Sequence, residues 1–272
     1  MALLNGQVHV LGGYLGGRAH SRTHLVYNVT SRTWHAAAPL PVSLDHVAAV
    51  TVGRGTSARL LVIGGYGTAG RPTSATYSYD SGTNAWTAKA LLPGARAAGV
   101  AVVVGGLVHY IGGKTTHGDT GEQDVYNAST DRWSRGASMP TPRDHAAAAV
   151  IGDTIYVAAG RPGSKQTLES YSTLSGRWTT GLPALPLGRS STAGAAWHGM
   201  FLVLGGENAS ESLAYRNVDA YDPSRRTWMR LPPMPGARQG IGAVVVGGTV
   251  FVPGGGPAAG ASRQTDSLLE LQ

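Results

Sequence analysis

The chain has 272 residues, no cysteine, and nowhere the unbroken apolar run of about 18 residues that a membrane-spanning helix requires. Lacking cysteine, it has no disulfide framework, thiolate metal site or cysteine nucleophile. Forty glycines and 15 prolines favour turns over long helices, and the net charge of +7 is carried by scattered arginines rather than a basic stripe, which argues against nucleic acid as a partner.

In chain order the predicted elements are short strands with an alternating apolar pattern and no helical period. The chain opens on Ala2-Leu3-Leu4, turns at Asn5-Gly6, and reaches a first glycine pair at Gly12-Gly13. A strand carrying Tyr27 follows, then one carrying Trp34. The same order returns with Gly64-Gly65, Tyr79 and Trp86, then with Gly112-Gly113, Tyr126 and Trp133. Ala159-Gly160 fills the fourth place, followed by Tyr171 and Trp178. Gly205-Gly206, Tyr221 and Trp228 make the fifth. Gly254-Gly255 opens a sixth that has a strand at 267–271 and no tryptophan strand. Between units a proline stands three residues before an arginine: Pro93 and Arg96, Pro140 and Arg143, Pro186 and Arg189, Pro235 and Arg238. At the first such place Pro41 is followed by Leu44.

Three interlocked series at one period of roughly 45–50 residues identify a repeat protein. Each unit reads as four antiparallel strands. The first is small and β-branched, as at 146–151 or 242–246. The second is an apolar run ending at the glycines, as at 108–111, 155–158 or 250–252, and the third and fourth carry the Tyr and the Trp. Four short strands per unit is the geometry of a propeller blade. Residues lacking Cβ then permit close approach of neighbouring chains, and Tyr with Trp fills the wedge between blades.

Paired Gly, Tyr-x6-Trp and Met/Leu-Pro-x-x-Arg resemble the kelch repeat in its bacterial form. The best match runs from Leu202 to Arg238, through Gly205-Gly206-Glu207, Tyr221, Trp228 and Met234-Pro235. The resemblance covers the whole chain and implies an all-β fold: a single domain over 1–272, a six-bladed β-propeller of four-stranded antiparallel kelch blades. The last blade is expected to be incomplete or closed by the termini. Kelch propellers commonly complete that blade with an N-terminal strand, so an upstream segment of roughly twenty residues is expected on the repeat's spacing. The protein is then exported if that segment carries a leader, and cytoplasmic if Met1 is its true start.

In kelch-like propellers ligands meet the loops after the glycine pairs and before the first strands. Mapped here, these supply ligand-binding candidates Tyr14, His46, Tyr66, Arg96, Lys114, Arg143, His145, Arg161, Arg189 and Arg238, with Asp45, Asp144, Ser190 and Gln239 beside them. Guanidinium forks suit carboxylates and phosphates. The expected partner is therefore a protein or small anionic ligand on the loop face of a monomer, with no nucleic acid and no membrane. The competing reading is that each repeated Arg bonds backbone carbonyls of the next blade and holds the blades together. Side chains that break the repeat, namely His46, Lys114, His145, Arg161 and Glu207, are the better functional candidates.

For catalysis, the resemblance points to Glu207 with Arg216, which loosely match the Glu–Arg pair of kelch-type mutarotases, and His145, which breaks the repeat, is a further candidate. A small-molecule isomerase or lyase acting in the central mouth is the alternative to a binding scaffold. Copper-radical chemistry of the kelch oxidases requires a cysteine, and the Glu-x3-Asp-x3-His iron pattern of kelch specifier proteins is matched by none of Glu122, Glu207 or Glu211. The nine histidines look scattered, so neither a metal nor a cofactor is expected.

Overall fold

The computed structural model describes residues 1–15, 19–260 and 263–272. It is an all-β, six-bladed β-propeller fold of antiparallel meander sheets, and the helical content among the described residues is two single 3-10 turns, Gly55–Ser57 and Ala209–Glu211. Blade 1 is Ala2–Leu4, Gln7–Leu11, His24–Asn28 and Thr33–Ala36. Blade 2 is Ala48–Val52, Arg59–Ile63, Thr76–Asp80 and Ala85–Ala88. Blade 3 is Val100–Val104, Leu107–Ile111, Gln123–Asn127 and Arg132–Arg135. Blade 4 is Ala147–Ile151, Thr154–Ala158, Leu168–Ser172 and Arg177–Thr179. Blade 5 is Ala193–Trp197, Met200–Leu204, Val218–Asp222 and Thr227–Leu231. Blade 6 has three strands, Val244–Val246, Thr249–Pro253 and Leu268–Leu271.

The chain divides into two compact units, Met1–Gly136 and Ala137–Gln272, with three blades in each. In both, the apolar core lies between successive blades. Leu4, Leu11, Leu40, Leu60 and Val62 pack between blades 1 and 2, and Leu61, Ile63, Leu92, Val108 and Tyr126 between blades 2 and 3. In the second unit Leu168, Leu185, Phe201 and Tyr221 form one such layer, and Leu202, Leu204, Met234, Val250 and Val252 the next. The residue before each interblade proline (Leu40, Leu92, Met139, Leu185, Met234) is buried, and Leu40, Leu92, Leu185 and Met234 are plugs in these layers.

The repeated aromatics do what their spacing predicts. In each of the first five blades the third-strand Tyr sits directly across from the fourth-strand Trp, as in Tyr126 opposite Trp133, with ring centroids 4.9 Å apart. The tyrosines are buried, and four of the indoles reach back to the previous blade. Trp86 donates to the Ala38 carbonyl at 2.8 Å, Trp133 to Ala90 at 2.9 Å, Trp178 to Ala137 at 2.8 Å and Trp228 to Pro183 at 2.8 Å. The glycine pairs also answer to geometry. A Cβ on Gly64 would sit 2.4 Å from the Arg96 carbonyl, and both glycines hold positive φ. The second glycine at four of these places, Gly13, Gly65, Gly160 and Gly206, then bonds the next blade's lead-in, as Gly65 N does to Arg96 O at 2.9 Å.

Candidate functional site

The repeated arginines lie inside the blades. Arg96, Arg143 and Arg189 are fully buried. Arg96 pairs with Asp124 and donates to the Glu122 carbonyl at 2.9 Å. Arg143 reaches Glu169 at 2.7 Å and the Val157 carbonyl at 3.0 Å. Arg189 meets Asp219 at 2.9 Å and donates to the Val203 and Gly205 carbonyls. Burial pulls the guanidinium pKa of Arg143 and Arg189 down, and Glu169 and Asp219 oppose it. Arg238 is less deeply buried, meets no carboxylate among the described residues, and bonds Ser267 and the Ala237 carbonyl. An Arg-lined face open to an anion therefore needs correction at these positions: the forks are consumed by internal acids and carbonyls.

Sequence reasoning missed the acids. They stand two residues before the Tyr, as Asp124 before Tyr126, Glu169 before Tyr171 and Asp219 before Tyr221. Blade 2 has Leu44 in the arginine's place and Tyr77 in the acid's, so both members are absent together. A buried charge without its partner is costly, which explains the joint absence.

What remains open to solvent is carried on a second, less regular frame. After five of the six glycine places the next residue bridges to the residue after the Arg position: Tyr66 to Asp45, Lys114 to Ala97, Arg161 to Asp144, Glu207 to Ser190 and Gly256 to Gln239. The following residue holds positive φ (49° in His46, 52° in His145) so that its carbonyl accepts from the next blade's equivalent. His46 O takes Ala98 N and His145 O takes Ser191 N, each at 2.9 Å.

On the first unit this frame gathers Tyr14, His20, Asp45, His46 and Tyr66. Asp45 is buried, and each of its oxygens meets an imidazole, Oδ2 the Nδ1 of His20 and Oδ1 the Nδ1 of His46. The Tyr14 ring lies 5.6 Å from His46 and 6.0 Å from His20, and Tyr66 lies 5.4 Å from His46. Lys114 is further along the same unit, on a short hairpin, paired with Asp119 at 3.0 Å. The apparent scatter of the histidines is thus corrected: His20 shares Asp45 with His46, and buried His9 lies against buried His24, nitrogens 2.8 Å apart. No group of three or more His, Asp or Glu side chains among the described residues is arranged so that it could hold a metal ion.

On the second unit the frame gathers Arg161, Ser190, Ser191 and Glu207. Glu207 is buried; Oε1 accepts from Ser191 at 2.9 Å and from Arg161, and Oε2 accepts from the Gly260 backbone N–H at 2.7 Å. Arg161 also contacts Ser190 and Ser191 at 3.3 Å and stays 37% exposed. The mutarotase-like pairing fails, because the cation on Glu207 is Arg161, while Arg216 is exposed just beyond the return strand of the hairpin. His145 is held by Asp144 at 2.9 Å.

Residues 188–235, spanning the Arg189 lead-in and blade 5, match the family model for the Kelch motif. The chain is a kelch-repeat β-propeller. It is similar to Kelch-like protein terF of Aspergillus terreus (strain NIH 2624 / FGSC A1156), 30% identical over 284 residues, which covers 96% of this chain and 61% of that protein. The kelch chain thus spans about three fifths of that relative's length. Kelch-like protein 36 of Mus musculus is 33% identical over 78 residues, covering 29% of this chain and 13% of the mouse protein, and the Rattus norvegicus protein matches equally.

Proposed function

We propose that the kelch chain is a binding scaffold whose partner, a protein or a small anionic ligand, engages the loops that follow the glycine pairs and precede the first strands. One observation carries this reading: the guanidinium of Arg161 is fixed on one side by Ser190, Ser191 and Glu207 and remains exposed on the other. A pre-oriented fork loses less entropy on meeting a carboxylate than a free one. His145, held by Asp144 on the same unit, extends the chemistry a partner would read there; Tyr14, His46, Tyr66 and Lys114 offer a separate candidate surface on the first unit. Glu207, with both oxygens engaged, serves as a positioning carboxylate in this reading rather than as an acid/base. Calorimetric titration with glutarate and with an acidic hexapeptide tests it. The expected result is binding that weakens about tenfold or more in Arg161→Ala while the melting temperature is held, since one charge-assisted contact is worth roughly 1.5–3 kcal/mol. Equal affinity in Arg161→Ala and the parent would reject it.

A further inference from the structure

The first unit holds a second feature that breaks the repeat, at the opposite ends of the blades. In every other blade the first and second strands are joined by two residues, such as Gly105-Gly106 or Gly152-Asp153; in blade 2 the join runs from Gly53 to Ala58 and contains the turn Gly55–Ser57. This insertion walls a cleft of about 750 Å³ between blades 2 and 3, within the roughly 300–1,000 Å³ of small-molecule sites. Its floor is buried and largely apolar: Val52, Leu61, Ser78 and Tyr126. Its rim is hydroxyl- and amide-bearing, with Ser57, Thr83, Thr87, Asn127 and Ser129.

Each cation lining the cleft has a carboxylate close to it, Asp80 within the lining and Asp131 outside it. Arg59 is fixed by the insertion, donating to the Thr56 and Ala58 carbonyls at 2.9 Å, and is neutralised by Asp80 at 2.8 Å. Lys89 faces Asp131, whose carboxyl it helps to hold below the usual range after the Ala90 N–H and the Tyr126 hydroxyl. An ion entering such a site gains no net attraction, whereas a neutral polyhydroxylated molecule finds donors and acceptors at the rim and an apolar floor for its C–H face. We infer that this cleft is a binding site for a neutral mono- or disaccharide.

Saturation-transfer NMR of the full chain with glucose, galactose, mannose and maltose, alongside glucuronate, tests the inference. Saturation transfer to at least one neutral sugar is expected, with the dissociation constant raised tenfold or more by Thr87→Trp, which places an indole in the cleft mouth from an exposed strand position. Ser129→Trp fills the opposite wall and is expected to act alike, so a misfolded first variant does not end the test. Arg161→Ala, on the other unit, is expected to leave sugar binding unchanged, which separates this site from the loop surface. No transfer from any neutral sugar, transfer that survives both tryptophan variants, or a preference for glucuronate over glucose would each overturn it.

Discussion

Arg143 and Glu169 illustrate why a repeated cation need not face a ligand. Both are essentially excluded from water and 2.7 Å apart, so each is the reason the other can be buried. Glu169→Ala leaves the guanidinium with only backbone carbonyls and is expected to lower unfolding free energy by about 3–5 kcal/mol, read from urea denaturation. Leu44→Arg is expected to cost on the order of 3 kcal/mol in the same measurement, because Leu44 is fully buried and blade 2 offers Tyr77 where the others offer an acid. A neutral Leu44→Arg would mean that the internal acid is dispensable.

His9 and His24 form a different buried pair, and here the charge is unwelcome. Burial, reinforced by the neighbouring imidazoles, lowers the His9 pKa to about 4, and burial lowers that of His24 as well. Folded values below the unfolded 6.5 mean that the unfolded chain binds more protons as pH falls. The stability is therefore complete above about pH 6.5 and lost on descent towards about 4, with His9 alone costing about 2 kcal/mol by pH 5. A melting temperature that falls between pH 7 and pH 5, where ordinary carboxylates stay charged, is the expected outcome. His9→Leu is expected to flatten that slope.

At the scale of the element, the fourth strands of blades 2 to 5 pair with their own sheets and are also fastened by an indole N–H to the segment that precedes their blade. Trp228→Phe removes the 2.8 Å bond to the Pro183 carbonyl and leaves that acceptor unpaired, at an expected cost of about 1–2 kcal/mol by thermal denaturation. Trp34 stands at the equivalent place in blade 1 but is 39% exposed, with no such bond among the described residues. Trp34→Phe is accordingly expected to change stability by less than about 0.5 kcal/mol. Equal effects would detach the stabilisation from the hydrogen bond. The short hairpins after the glycine pairs, at Tyr14–Leu15 with Ala19–His20, Lys114–Thr115 with Gly118–Asp119 and Glu207–Asn208 with Leu213–Ala214, occur in alternate blades and lift different side chains over one backbone frame.

For the whole molecule the relevant quantity is the net charge of +7. Three arginines are neutralised inside, each by an acid of the same blade, so the excess charge resides on other, more exposed groups and favours the approach of an anionic partner. Surface attraction is screened over about 10 Å at 0.1 M salt. An acidic peptide bound through Arg161 is expected to lose roughly tenfold in affinity between 50 and 500 mM salt in the calorimetric assay, mostly through slower association. A salt-independent affinity would place the peptide elsewhere. The neutral-sugar site, by contrast, is expected to be insensitive to the same salt.

The sequence by itself determined the blades: Tyr-x6-Trp, the glycine pairs and the Pro-x-x-Arg lead-ins are each imposed by local backbone geometry and by packing that recurs every unit, and so each leaves a periodic trace. It also singled out Arg161 and Glu207 as departures from the repeat. Only the tertiary structure decided that Arg96, Arg143 and Arg189 face inward, that His20 and His46 share one carboxylate, and that Glu207 answers to Arg161 instead of Arg216. Those are pairings between blades or across a sheet, between residues as much as 46 apart in Arg161 and Glu207. Side chains that meet once, through the fold and not through a repeat, leave no period to read.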